Sequence, residues 1–125
     1  MTPEQWRQIR HFSSEECGEG MDFDFMVHVE NLRAALGKQM HILAGHASSG
    51  HSPNSYHYQG RALDFWTEEN PRKVMALIDL CGFGGAGIYY WGAHAPWFHI
   101  DDRPFSSYQR WICEKAGEYQ YMLKG

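Results

Sequence analysis

Apolar positions recur along the chain with two periods, and each period predicts an element. Phe25, Val29, Leu32 and Leu36 follow one another at spacings of four, three and four, which places them on one stripe of an α-helix. That helix is predicted from Asp22 to Leu36, with Gly37 placed to stop it. Val74, Leu77 and Ile78 form a second inward stripe, and Asn70-Pro71 supplies a cap and a first-turn proline, so another helix is predicted from there to about Leu80. Thr2-Pro3-Glu4-Gln5 carries the same start signal and predicts a short helix to about Ile9. The remaining apolar runs are short and favour strands: Met40 to Ala44, Arg61 to Trp66, and the aromatic runs Ile88 to Trp91 and Trp97 to Asp101, which pair as a predicted hairpin. Trp111 to Cys113 and Tyr119 to Met122 flank a Lys-Ala-Gly turn and predict a further hairpin. Phe12 to Gly20 and Gly45 to Tyr56 are polar and glycine-bearing, and are predicted as loops; Gly82 to Gly87 is predicted as a glycine-rich turn. Helices come first and antiparallel pieces later, which predicts an α+β fold with helices packed on a small antiparallel sheet.

Composition narrows the picture in a few places. The 125 residues fit one domain, expected over 1–125, and a chain of that size buries roughly two-thirds of its unfolded surface without covalent staples. The net charge is −4 and no stripe of Lys and Arg occurs, which argues against a nucleic-acid partner. No apolar run reaches the length of a membrane span. The start MTPEQWRQIRHF lacks the apolar segment of a secretory signal, so a protein cytoplasmic as synthesised is expected, and a monomer. The three cysteines are odd in number and show no CxxC spacing, which argues against a disulfide framework. Cys81 sits in an apolar run and reads as a small buried hydrophobe; Cys17 has no neighbour suited to activating a thiol.

The candidate chemistry lies in SYHYQGRALDF, residues 55–65. Gly60 allows a tight bend between His57 and Asp64, so a loop can present the imidazole and the following strand the carboxylate. Both groups are zinc donors. The strand WFHID offers a third in His99, and strand alternation puts Trp97, His99 and Asp101 on one face. Three protein ligands leave a position for water, the arrangement of a hydrolytic centre, whereas a structural zinc site is closed by four. Each residue also has a plainer reading. His57 can serve as a hydrogen-bonding histidine, Asp64 as a turn cap, and His99 as a core imidazole satisfied by a carbonyl.

SYHYQGRALD resembles the Ser-x-His-x-x-Gly-x-Ala-x-Asp signature of the M15 zinc peptidases, a family of D-alanyl-D-alanine carboxypeptidases, dipeptidases and phage endolysins that cut L-alanyl-D-glutamate bonds. WFHIDDR resembles its second signature, a late-strand histidine followed by Asp and often Arg. HFSSEE, VENLRAALGKQMHILAG and GFGGAGIYYW resemble further family segments in order, so the likeness runs over about residues 11–122. The resemblance implies one Zn2+ held by His57, Asp64 and His99 on the hedgehog/DD-peptidase fold. It also implies a substrate among peptidoglycan stem peptides and a phage or prophage lysin, reaching the wall after release or as part of a phage particle. The chain departs from the family pattern twice. Where the family commonly carries Ser-Gly-Tyr-Arg, with the arginine for a substrate carboxylate, this chain has AGHASSGHSPNS; His46 stands near that place, and Arg61 and Arg103 are the other candidates. Where many members carry an acid three residues before the last histidine, this chain has Pro96; Asp101, on the strand face of His99, and His94, in the preceding loop, are the candidate acid–base residues. Asp101 can alternatively orient a ligand imidazole. Trp97 and Tyr90 are candidate groove residues, and His51 lies in the loop within possible reach of the cleft. His11, His28 and His41 read as non-ligands, and Ser55 as a loop-setting hydrogen-bonding residue. The alternative function is a zinc-stabilised cell-wall-binding or structural module without catalysis.

Overall fold

Side-chain oxygens start each helix. In this computed structural model, which describes residues 1–122, Thr2 and Gln5 form a reciprocal capping box at α1 (Pro3–Gln8). Asp22 caps α3 (Phe23–Leu36) by accepting from the Phe25 N–H, and Asn70 caps α4 (Pro71–Cys81) by accepting from Arg72. Gly37 and Gly82 end α3 and α4 in the left-handed region, where a side chain would be strained. The loop expected over residues 12–20 contains a further one-turn helix, α2 (Ser14–Cys17), because the Ser13 hydroxyl accepts from the Glu16 N–H and Gly18 follows. The last three positions of the domain expected over 1–125 lie outside the described residues.

The strands are β1 (His41–Ala44), β2 (Ala62–Trp66), β3 (Gly85–Tyr89), β4 (Trp97–Asp101), β5 (Gln109–Lys115) and β6 (Glu118–Tyr121). They form one six-stranded sheet in the order β1-β2-β4-β3-β5-β6. The two predicted hairpins, β3–β4 and β5–β6, are present and antiparallel. The sheet as a whole is mixed, which corrects the expectation of an antiparallel one. β4 lies between β2 and β3, so the chain must cross to the far side of β3, and β5 then runs parallel to it. The glycine-rich turn is also shorter than predicted. Gly85 and Gly87 belong to β3, and their missing side chains leave space on the sheet face that carries the site.

The two sheet faces have different fates, as the period of two requires. Leu63, Phe65, Ala86, Ile88, Phe98 and Ile100 turn toward the helices and pack with Phe25, Met26, Val29, Leu32, Val74 and Ile78 in one core. Full burial of each of the larger side chains contributes roughly 1.5–3 kcal/mol. The opposite face presents Asp64 beside His99, His99 beside Gly87, Gly87 beside Trp111, and Trp111 beside Tyr121, a row that crosses five strands. No helix among the described residues is long and apolar enough to cross a membrane.

Candidate metal centre

His57 is placed by a short 3₁₀ turn, Tyr56–Gln59, whose Ser55 cap accepts from the His57 N–H. Gly60 closes that turn in the left-handed region, and a Cβ there would overlap the Gly20 carbonyl. Only glycine satisfies both demands. The His57 ring is buried, 2% exposed, and its Nδ1 lies 2.8 Å from the Gly45 carbonyl. A carbonyl can only accept, so Nδ1 carries the hydrogen and Nε2 is left facing Asp64 Oδ2 at 3.3 Å.

Asp64 and His99 face each other across β2 and β4. His99 Nδ1 lies 2.9 Å from Asp64 Oδ1, and His99 Nε2 lies 2.7 Å from Asp101 Oδ2. Asp101 is fully buried and is gripped from its other side by Arg103, with Nε to Oδ1 at 2.8 Å and Nη2 to Oδ2 at 2.7 Å. The Arg103 backbone N–H adds a third bond, to Oδ1. The guanidinium also lies 5.2 Å from the ring centroid of Trp111 and 5.5 Å from that of Tyr56, a cation–π setting. A Cβ on Gly85 would overlap Asp101 and Arg103, and one on Gly87 would overlap the Trp111 indole. The two glycines of β3 therefore make room for the groups that brace His99.

Electrostatics follow from these contacts. Burial alone would raise the Asp64 carboxyl, but the hydrogen bonds and charges of His57 and His99 outweigh it and hold the pKa down at about 2. Burial opposes charging of His99, yet Asp101 and Asp64 together push its pKa up to about 9. Burial also opposes the Asp101 carboxylate, and Arg103 and His99 nevertheless hold it well below the usual carboxylate range.

One donor atom from each of His57, Asp64 and His99 lies within 4.8 Å of the others. Four-coordinate zinc with bonds of about 2.0–2.1 Å spaces its donors roughly 3.3 Å apart; His57 Nε2 lies 3.3 Å from Asp64 Oδ2 and His99 Nδ1 lies 2.9 Å from Asp64 Oδ1, so each imidazole nitrogen approaches its own oxygen of the carboxylate at about that range. The remote nitrogen of each imidazole is held by an oxygen acceptor, as ligand histidines require. The donor set therefore fits a divalent cation of this kind.

The group opens into a cavity of about 650 Å³. Trp97, Arg103 and Asp101 line it. The other candidates lie elsewhere. His46 is exposed, with its ring against Gly20 and its N–H bonded to the Cys17 carbonyl. Arg61 donates to the Asp102 carbonyl and lies over Tyr56. His94 stacks on Trp66 at 5.4 Å. Neither His46, Arg61, His94 nor Tyr90 lines the cavity. His51 does, with its ring stacked on His57 at a centroid distance of 4.0 Å. Its peptide is fixed by Tyr58, whose hydroxyl accepts from the His51 N–H and donates to the His51 carbonyl; the seven-residue spacing to Tyr58 gave no sequence signal for this clasp. His11, His28 and His41 are engaged with Glu30, Asp102 and Trp66 respectively. Cys17 is buried, which together with Glu16 pushes its thiol up to about 12, so it is an inert core residue. The Gly45 carbonyl, Trp111, Tyr119 and Tyr121 were not legible as site groups, since they reach the site only through strand pairing and loop closure.

Two imidazoles and a buried carboxylate at the floor of an open cavity define a candidate mononuclear metal centre of the kind that serves hydrolysis. The chain belongs to the peptidase M15 family, whose sequence profile, described as Peptidase M15, matches residues 8–101. That span contains His57, Asp64, His99 and Asp101, and it ends before Arg103 and before β5 and β6. No curated protein sequence matches the chain.

Proposed function

We propose that the chain is a zinc peptidase that hydrolyses peptide bonds of peptidoglycan stem peptides, built as a single domain on the hedgehog/DD-peptidase fold and serving as a phage- or prophage-type lysin. The observation that carries the peptidase reading is the convergence of His57, Asp64 and His99, each imidazole braced through its far nitrogen, in a chain of the M15 family. The likeness of SYHYQGRALD and WFHIDDR to the two family signatures supports the substrate class.

In this reading His57 Nε2, Asp64 and His99 Nδ1 hold one Zn2+. Bound there, zinc supplies a Lewis acid that polarises a carbonyl and acidifies water. Arg103 holds Asp101, and Asp101 holds His99 with its hydrogen on Nε2. Asp101 is thus a positioning residue: both its oxygens are engaged, and its low proton affinity makes it a poor base. With His94 on Trp66, proton transfer falls to His51, the cavity histidine outside the ligand set. Burial and the neighbouring His57 lower its pKa, so at neutral pH a ring nitrogen is free to take up a proton and return it to a leaving amine. Trp97 and Trp111 line the cavity beside this group.

Metal analysis of the native chain and of His57→Ala tests the centre. About one zinc per native chain is expected, sharply reduced in the variant, since one of three protein ligands is gone. Mass spectrometry of muropeptides from treated sacculi tests the activity. The second reading, a zinc-stabilised wall-binding module, is favoured by one observation: both cavity carboxylates, Asp64 and Asp101, are fully committed to neighbours. A protein that keeps its zinc and releases no peptide is that module.

A further inference from the structure

Past the metal site the cavity continues along aromatic rings that hydrolysis at the floor does not use. Trp97 lies flat on Tyr89, with centroids 3.9 Å apart and planes 9° from parallel. Trp91 meets Trp97 edge-on at 5.5 Å. Tyr119 and Tyr121, two residues apart on β6, stand side by side at 6.2 Å with planes 23° apart. All of these rings line the cavity that holds His57, Asp64 and His99. Yet Tyr121 is 64% exposed, Tyr119 47% and Trp91 37%.

The inner rings and Trp91 are fixed: Trp91 Nε1 donates to Cys113 Sγ at 3.3 Å. Trp97 Nε1 donates to the Trp91 carbonyl at 2.9 Å, and Trp111 Nε1 donates to the Tyr89 hydroxyl at 2.8 Å. With those N–H groups taken, the wall offers ring faces and tyrosine hydroxyls. A solvent-facing aromatic wall inside a concavity marks a binding surface. The formal charges of the cavity gather at its floor in Asp64, Asp101 and Arg103, and Arg103 is spent on Asp101. His57 and His99 stand at that floor with them, and away from it the polar lining includes the uncharged Ser52, Asn54 and Ser55.

We infer that this wall is a subsite for a neutral pyranose ring of an N-acetylated amino-sugar chain. The C–H face of such a ring is apolar and flat, and suits the exposed faces of Tyr119, Tyr121 and Trp91. Its hydroxyl and acetamido groups are uncharged, and match the neutral hydroxyls and amide around them. The subsite is continuous with the metal site, so one ligand can occupy both. The inference deepens the proposed function and rests on it for the source of the sugar, because the stem peptide hangs from an amino-sugar strand. Tyr119 and Tyr121 on β6 lie outside the span matched by the family profile, while Trp91 and Trp97 lie inside it.

The test uses the full zinc-loaded chain and its own tryptophan fluorescence, titrated with the N-acetylglucosamine tetramer and separately with a sugar-free stem tetrapeptide. The tetramer should give a saturable change. Tyr121→Ala should weaken its binding at least about fivefold, as expected for the loss of one stacking ring, with zinc content and melting temperature kept. Trp91→Ala, outside any strand, gives the same reading if the β6 variant fails to fold. No saturable change at millimolar tetramer, or variants that bind as the native chain does, overturns the inference. Cleavage of the tetrapeptide without tetramer binding sinks the sugar subsite and leaves the proposed peptidase standing. Tetramer binding with no cleavage of tetrapeptide or sacculi leaves the subsite standing and sinks the peptidase.

Discussion

At His99 both ring nitrogens face carboxylates, and those two contacts do different work. Asp64 belongs to the group that could hold a cation, while Asp101 fixes the ring and is itself fixed by Arg103. A chain of three charged groups of this sort transmits a change at its far end to the metal. Arg103→Ala should therefore lower zinc affinity by about 10–100-fold, the usual cost of losing an outer partner of a ligand histidine, and competition with a chromophoric chelator measures it. Arg103→Lys should rescue it only in part, because an ammonium cannot reproduce the fork. His51→Ala tests the proton-transfer role. Zinc content should stay near one per chain while kcat falls by about 10²–10⁴-fold with little change in KM. Loss of zinc instead would show that His51 serves by supporting His57.

At the scale of elements, β3 decides the site by what it lacks. Its sequence Gly-Ala-Gly-Ile-Tyr turns Ala86 and Ile88 into the core and Gly85 and Gly87 toward Asp101, Arg103 and Trp111. Gly87→Val would suit a strand by propensity but would drive its side chain into the Trp111 indole. It should cost about 1–3 kcal/mol, as overpacking does, read as a lower midpoint in urea. The alternation of those glycines was present in the sequence. They were legible only as a turn, because a glycine run looks the same whether the chain bends there or another side chain must lie across it. α3 and α4 posed no such ambiguity. Asp22, Asn70, Gly37 and Gly82 are local signals, and α3 and α4 begin and end within about a residue of where those signals stand.

Across the whole molecule, the His-Asp-His group ties stability to pH and, in the proposed reading, to metal. In the metal-free chain the folded pKa of His99 is raised to about 9. Its stabilising contribution is fully present below its unfolded value near 6.5 and is lost as pH rises through about 9. Asp64, lowered to about 2, acts in the opposite sense: its contribution is present above about 4 and is lost as pH falls toward 2. The melting temperature of chelator-treated protein should therefore fall between about pH 6.5 and 9. Zinc-loaded protein should not show that decline, because a ligand nitrogen must already have lost its proton. Zinc at about 100 times its dissociation constant should add about 2.7 kcal/mol of stability. Parallel thermal scans with zinc and with chelator measure both effects, and matching curves in the two would count against metal binding at this group.

The sequence by itself determined the limits of the first helix and of α3 and α4, the two strand hairpins, and the three side chains, His57, Asp64 and His99, that could hold a metal. Each of these depends on residue type at short spacing: caps, period, the bend at Gly60, and alternation in WFHID. Tertiary structure decided what only the pairing of distant segments can decide. It made the sheet mixed by placing β4 between β2 and β3. It carried His46, Arg61 and His94 away from the cavity, and committed Asp101 to Arg103 and His99. It brought His51 and the β6 tyrosines to the cavity. These outcomes turn on strand order and on contacts between side chains far apart in the chain, and no local pattern encodes such contacts.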